Sequence, residues 1–503
     1  MASDTPSPTN VVLVVWDACR FDYASKHATE LTELASENVW FERAIAPSPW
    51  SLPSHASLFT GVYPHEHGCH RLDGSIDTTL VKELSSEGYH TAGISGNGFA
   101  SQRTGFQRGF DEFYYTGGRE RYLEGMDVSG FAQRLLEDEN TSPTRAAIRT
   151  LQQIGRHSHP LKSLANFASV TAGELADSVA PLQRIPHPVV SPDSGYCYTP
   201  ERNTRQLRSV VQDSGDTPFF IFMNYMDTHR PYKPRPELQS KHLGQEVSFR
   251  ELRRLNEHVA YPWEFIDELE NGSIDEDDVE TVRKLYAGEV KTADEHLRRI
   301  REILDDAGKL DETLIIVTGD HGENLGEADE RGLRRMGHEA SVSDAVLHVP
   351  LLLAHPDLDE RSVNEPVSLK DLYKLVLEGI PTLLDSHGGE IPGLLPFDGV
   401  TASQYPATGG QMFFERHPDV SEEIINHRVA DHSAVTYDED WKVIVESTGE
   451  QWAGTQDGER PYDEAPDLLV DTAEEQLRHL EAYDTDGELS DEEISRLEAL
   501  GYL

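Results

Sequence analysis

Cysteine is nearly absent from this 503-residue chain: Cys19, Cys69 and Cys197 stand far apart. So few, so scattered, they exclude a disulfide framework and a CxxC metal site, and they suit a reducing compartment. Long apolar runs are missing too. None approaches the 18 or so residues of a bilayer span, and the opening MASDTPSPTN has neither the basic nor the apolar region of a secretory signal. Positive charge is outnumbered, with 44 Lys and Arg against 90 Asp and Glu, a formal −46. Such a surface repels nucleic acid phosphates and anionic lipid heads, so both are poor partners. The acids are dispersed through most of the chain, and dispersed acidity is best tolerated in a salt-rich solvent, where the Debye length falls to about 3 Å at 1 M. The expectation is a soluble, cytoplasmic protein in a high-salt cytosol; the sequence says nothing of its oligomeric state.

What is present is a foldable core, 37% hydrophobic, enough for one large domain and a smaller one. Short β-branched or aromatic runs read as buried strands at 11–16, 90–95, 218–226, 313–319 and 348–354. Between the third and fourth, Val279, Val282, Tyr286, Val290, Ala293, Leu297, Ile300 and Leu304 recur at three and four, a long amphipathic helix over 277–307. Alternating strands and helices predict an α/β fold with a mostly parallel sheet flanked by helices. The expected boundaries are a catalytic region at 9–397, with 119–216 an insertion or cover, and a smaller C-terminal subdomain at 398–503. That subdomain ends in a docked helix, signalled by a Ser490 and Glu493 capping box.

In open α/β sheets function gathers at the carboxyl ends of strands. Asp17 follows the first run, GNGF with Asn97 the second, Asp227 and His229 the third, and Asp320, His321 and Gly322 the fourth. Asp17, Asp320 and His321 are oxygen and imidazole donors suited to a divalent metal, and the Ser51 hydroxyl completes the shell. Coordination would lower its pKa and make it a nucleophile at neutral pH. A serine there also suits a helix N-cap, and both roles are expected of Ser51 together. Asp294, on the long helix, reads as a solvated or paired acid, and His65 and His67 as structural.

With these residues placed, the chain resembles the sulfatase family of the alkaline phosphatase superfamily. Ser51, Pro53, Ser54, Leu58, Thr60 and Gly61 stand in register with its nucleophile motif, and VVLVVWD, TGDHGENLG, HVPLLL and RLEALGYL follow its order. Departures accompany the likeness. Ser51 replaces the cysteine most members oxidise to formylglycine; His55 replaces an arginine, Ala18 a second aspartate, and Asn97 a sulfate-gripping lysine. Asp17, Arg20 and Asp22 match the Asp-x-x-Arg-x-Asp of the phosphonate monoester and phosphodiester hydrolase branch. The resemblance implies a metal-dependent hydrolase of sulfate esters, on a small molecule or glycan, with phosphate or phosphonate esters the alternative. Other readings are a head-group transferase and a non-catalytic protein binding an anionic glycan or a partner. Ca²⁺ is the implied metal, with Mn²⁺ or Zn²⁺ fitting the diesterase branch. His229 or His338 is implied as acid for the leaving group, His55 as a transition-state contact or a structural histidine, Asn97 as a substrate contact or a turn residue, and Arg20 as a substrate contact or the ion-pair partner of Asp22 or Asp17.

Overall fold

The structure is a computed structural model. It describes residues 9–69, 76, 79–102, 104–117, 126, 128, 143–157, 159–178, 200–244, 246–260, 269, 272–338, 341–380, 384, 402–404, 432–455 and 457–483. The capping box at Ser490 lies outside these residues. The chain divides into two compact units, Met1–Tyr115 with Asn203–Gly487, and Thr116–Arg202 with Glu488–Leu503.

The large unit is built on strands β1 (Asn10–Trp16), β2 (Val39–Ile45), β3 (His90–Ser95), β4 (Glu112–Tyr115), β5 (Phe219–Tyr225) and β6 (Thr313–Gly319). A hairpin, β7 (Asn324–Ala328) and β8 (Arg334–Gly337), leads to β9 (His348–Ala354), β10 (Arg361–Val363) and β11 (Val367–Ser368). The main sheet runs β10-β2-β9-β6-β1-β5-β3-β4, with β11 beside β2. From β6 to β4 every pairing is parallel, and β9 runs antiparallel to β6 and β2. All five expected strands are present. β1, β5 and β6 are buried along their whole length, as continuous apolar runs require when helices cover both faces.

The helices used below are α1 (Thr29–Ala35), α2 (Ser51–Thr60), α3 (Pro143–Ile154), α4 (Pro160–Ser178), α5 (Glu276–Asp306) and α6 (Asp467–Tyr483). α5 is the long helix expected from its period; Asp275 and Asp278 form its capping box. Asp294, buried on α5, caps a different helix: its carboxylate accepts the N–H groups of Glu30 (3.1 Å) and Leu31 (3.0 Å) in the first turn of α1 and pairs with Lys291 at 2.7 Å. A cap supplied through space leaves no local sequence signal.

The region from 398 holds an antiparallel sheet, β12 (Ala402–Gln404), β13 (Ser433–Tyr437), β14 (Trp441–Glu446), β15 (Gln451–Thr455) and β16 (Gly458–Arg460). One face carries α6, whose Leu469 and Ala473 pack on Ala434, Val443 and Val445. The other places Val435, Tyr437 and Ile444 against Ile45, Val342, Val346 and Leu347. This small sheet lies in the same compact unit as the main sheet.

Candidate active site

Parallel register decides what meets at the strand ends. Trp16 pairs with Gly319 on one side and Tyr225 on the other, and Ser95 pairs with Asn224. The next residues, Asp17 and Asp320, therefore leave the sheet at one level, and β3 ends one residue short of it. Asp17, Asp320 and His321 are fully buried, and one ligand atom of each lies within 4.8 Å of the others. Asp320 Oδ1 accepts the N–H groups of Ala18 (3.1 Å) and His321 (3.0 Å). Ala18 makes its bond from φ +58°, in the left-handed region that a non-glycine residue rarely adopts. Its carbonyl accepts from the buried Tyr286 hydroxyl at 2.7 Å. His321 donates from Nδ1 to the Gly322 carbonyl at 2.8 Å, so Nε2 carries the lone pair. Gly322 is required: a Cβ there would stand 2.1 Å from the Ala345 carbonyl.

Ser51 is the first residue of α2. The N-cap position is Trp50 and no side chain caps the helix, which corrects the dual role expected of Ser51. Its hydroxyl turns instead to the strand ends, donating to Asp17 Oδ2 at 3.4 Å and standing 3.2 Å from His321 Nε2. Ser54 holds the helix start from behind, donating to the Asp320 carbonyl at 2.6 Å.

Two carboxylate oxygens in this cluster, Asp17 Oδ1 and Asp320 Oδ2, are buried with no hydrogen-bond partner. Burial, then repulsion from Asp320, pushes Asp17 above the ordinary carboxylate range. For Asp320 burial acts the same way, but His321 and His55 hold it below that range. Burial also lowers His321, keeping the imidazole neutral. Two close carboxylates with free lone pairs and a neutral imidazole nitrogen are the donors a divalent cation takes, and the residues fit that group.

Around this cluster the other expected residues divide. His55 is buried beneath α2: Nδ1 donates to the Ser51 carbonyl at 2.8 Å and lies 3.5 Å from Asp320 Oδ2, and Phe106 and Phe222 meet the ring edge-on. It props the serine turn. Asn97 donates to Asp17 Oδ2, and its own carbonyl accepts the Phe99 N–H at 2.6 Å. Arg20 grips Asp22 with two bonds of 2.9 and 2.8 Å, pairs with Glu327 and donates to the Glu323 carbonyl at 3.1 Å. Of the two roles expected of Arg20, the ion pair with Asp22 is the one present.

His338 and His229 continue the cluster. The His338 ring lies 4.3 Å from that of His321 and 5.4 Å from that of His229, centroid to centroid. His338 Nδ1 meets Glu323 Oε1 at 3.0 Å, and Tyr232 donates to Glu323 Oε2 at 3.0 Å. Burial opposes ionisation of Glu323, yet His338 and Arg230 bring it down to about 2, so it is a carboxylate at neutral pH. His229 donates from Nδ1 to the Arg230 carbonyl at 2.7 Å, and burial, followed by His338, lowers it to about 4.

The family model described as Sulfatase matches residues 9–381. The chain belongs to the sulfatase family. Among curated relatives of the chain are the multifunctional alkaline phosphatase superfamily protein PehA of Trinickia caryophylli, 27% identical over 39% of the chain and 40% of that protein, and the choline-sulfatase of Rhizobium meliloti, 23% identical over 75% and 66%. The chain thus spans less than two thirds of either. The phosphonate monoester hydrolase of Agrobacterium radiobacter superposes with a TM-score of 0.56, at 20% identity over 96% of the chain and 98% of that one. A second solved structure, an enzyme bound to its substrate D-glucosamine-2-N,6-O-disulfate, superposes at 0.59, with 14% identity over 96% and 100%.

Sequence reasoning missed three residues of this buried cluster. Asn224 donates to Asp17 Oδ2 and lies 3.4 Å from His55 Nε2; an amide inside the apolar FMNYM run was a readable signal. Glu323, within the DHGE element, was legible as a buried acid beside the metal strand. Tyr232 is brought to Glu323 from ninety-one residues away and had none.

Proposed function

We propose that the chain hydrolyses sulfate esters with Ser51 as nucleophile. The observation carrying this reading is the convergence of Ser51 with Asp17, Asp320 and His321 at the ends of adjacent strands. Those four residues would hold a divalent cation, for which Ca²⁺ is our choice; when bound it would acidify the Ser51 hydroxyl and neutralise charge on the non-bridging oxygens.

Ser51 Oγ forms a bond to sulfur as the bond from sulfur to the alcohol oxygen breaks. The serine proton passes to Asp17 Oδ2, its hydrogen-bond acceptor. Position favours negative charge here, because Ser51 opens α2 and the helix N-terminus carries positive potential. His338 protonates the departing alcohol. An ionised Glu323 behind Nδ1 orients that ring and supports its positive charge, the arrangement that serves general acids elsewhere. His229 is assigned the opposite task. With Nδ1 donating to a carbonyl and the ring neutral at pH 7, its Nε2 accepts the proton of the water that attacks sulfur in the second step. Ser51 then leaves with its proton restored from Asp17, the proton taken by His229 returns to His338, whose ring lies 5.4 Å away, and the net reaction is ester plus water to alcohol plus hydrogen sulfate. His55 and Asn97 act as positioning residues for Ser51 and Asp17.

A phosphate diester or phosphonate monoester shares the single negative charge and tetrahedral centre, and the neutral Asn97 where sulfatases carry a lysine favours this second reading. A cytosolic, high-salt setting is part of the proposal, supported by the dispersed acidity of the chain. No helix among the described residues is long and apolar enough to cross a membrane. The test is a paired assay at molar salt with p-nitrophenyl sulfate and bis-p-nitrophenyl phosphate, each with Ca²⁺, Mn²⁺ or Zn²⁺. Cation-dependent turnover of the sulfate, lost in Ser51→Ala, is expected. Preference for the diester moves the assignment to the second reading, and ester binding unchanged by Ser51→Ala without any turnover makes the protein a binder.

A further inference from the structure

One stretch reverses the character of the whole surface. Residues 140–173 contain no Asp or Glu, the longest such interval in the chain, yet carry Arg145, Arg149, Arg156 and Lys162. All 90 acidic side chains lie elsewhere. The same interval holds four of the five exposed large hydrophobic residues among the described ones: Ile148 (53% exposed), Leu151, Leu161 (82%) and Leu164. Two unusual features, basic charge and bare aliphatic surface, coincide within two consecutive helices.

The helical period sorts these side chains into faces. On α3, Thr150 and Ile154 are buried, and Ile154 joins Met126, Val128 and Val170 in a small core. Ile148 and Leu151 stand three apart on the solvent side, bordered by Arg145 and Arg149 four apart, both exposed. On α4, Ser163, Asn166 and Val170 turn inward, while Leu161, Leu164 and Ala168 follow the i, i+3, i+7 spacing on the outer face beside Lys162. The turn between the helices is pinned, since Ser163 Oγ accepts the Met126 N–H at 2.8 Å and lies 3.1 Å from His157 Nδ1. The outer faces are thus held by an ordered inner core.

We propose that the α3–α4 hairpin is a docking surface for an anionic lipid bilayer, with Ile148, Leu151, Leu161 and Leu164 entering the headgroup layer and Arg145, Arg149, Arg156 and Lys162 meeting its phosphates. Aliphatic side chains between basic ones are the composition of an interfacial amphipathic helix. Bare leucine and isoleucine give a hydrophilic polyanion nothing to bind, which disfavours a sulfated glycan on this face. The overall charge of the chain does not forbid the contact. Fields are screened within roughly 8 Å at 0.15 M salt, so the charges bordering the bilayer decide, and those of residues 140–173 are positive. The proposal does not rest on the function assigned to the strand-end cluster.

The test is flotation of the full chain with phosphatidylglycerol vesicles and, separately, phosphatidylcholine vesicles, at the lowest salt that leaves its circular dichroism unchanged. At least tenfold more protein is expected with the anionic vesicles. Leu161→Glu with Leu164→Glu should lower that recovery about tenfold, and Arg145→Glu with Arg149→Glu should remove the preference for phosphatidylglycerol. Leu161→Gln, milder on a residue already 82% exposed, keeps the test interpretable if the double variants misfold. Equal recovery with both lipids, no recovery, or recovery indifferent to these substitutions overturns the proposal. Concentration-dependent self-association abolished by the same substitutions, without vesicle binding, overturns it in favour of a second copy on this face.

Discussion

The strand-end pocket and the seam between the β7–β8 hairpin and the small sheet both bury charge, and they treat it oppositely. At the seam the charges are matched. Lys442 pairs with Glu330, bonds Asp344 at 2.9 Å and donates to the Val342 carbonyl at 2.9 Å; Arg331 meets Glu446 at 2.5 Å and Arg335 meets Asp329 at 3.0 Å. In the pocket, Asp17 Oδ1 and Asp320 Oδ2 are buried without a hydrogen-bond partner. Charges satisfied by the chain hold a shape; lone pairs that the chain leaves open are placed for something that arrives from outside. The seam therefore belongs to stability and the pocket to chemistry.

The sharpest way to break that distinction is Ser51→Ala, expected to lower turnover at least about a thousandfold while the thermal unfolding temperature stays unchanged; steady-state rates and calorimetry on one preparation check both halves. Next is the cation. Asp17→Asn should abolish stabilisation by the divalent ion, about 2.7 kcal/mol at a hundred times its dissociation constant. In the presence of chelator the same variant should be more stable than the parent, because it removes the repulsion that raises Asp17. Unfolding scans with and without chelator read both effects.

At the seam the signs invert. Lys442→Met leaves Glu330 without its partner and should cost about 3 kcal/mol, with kcat at saturating substrate nearly intact and no dependence on the cation. Denaturant melts beside rate measurements separate this from the pocket variants. An effect confined to acid pH comes from His229. Its pKa is about 4 in the fold and near 6.5 unfolded, so the unfolded chain binds the proton first as pH falls. Its contribution is whole above about pH 6.5 and declines towards pH 4, up to about 3 kcal/mol. A His229→Gln variant should show a flatter acid limb in the same melts.

The sequence made the frame legible because strands buried on both faces advertise themselves as continuous apolar runs, and the five such runs are five strands of the sheet. It also made the convergence of Asp17, Asp320 and His321 legible, since acids and a histidine immediately after those runs had one place to go. Contacts built across the chain were hidden. Nothing near Asp294 announces that it caps α1, nothing in TYDEDWKVIVE names Glu330 as the partner of Lys442, and the Arg20 pair with Asp22 was readable whereas its second partner, Glu327, was not. Ser51 was half-read: its position at a helix start was correct, and the hydroxyl serves the pocket rather than the helix.

The central claim is that the open lone pairs of Asp17 and Asp320 are a cation site. Calorimetric titration of the chelator-treated chain with Ca²⁺, Mn²⁺ and Zn²⁺, beside an Asp17→Asn, Asp320→Asn double variant, tests it most directly. The account predicts one cation per chain for the parent and none at that site for the variant. A parent that binds no divalent ion, or a variant that binds it as well as the parent, would contradict it.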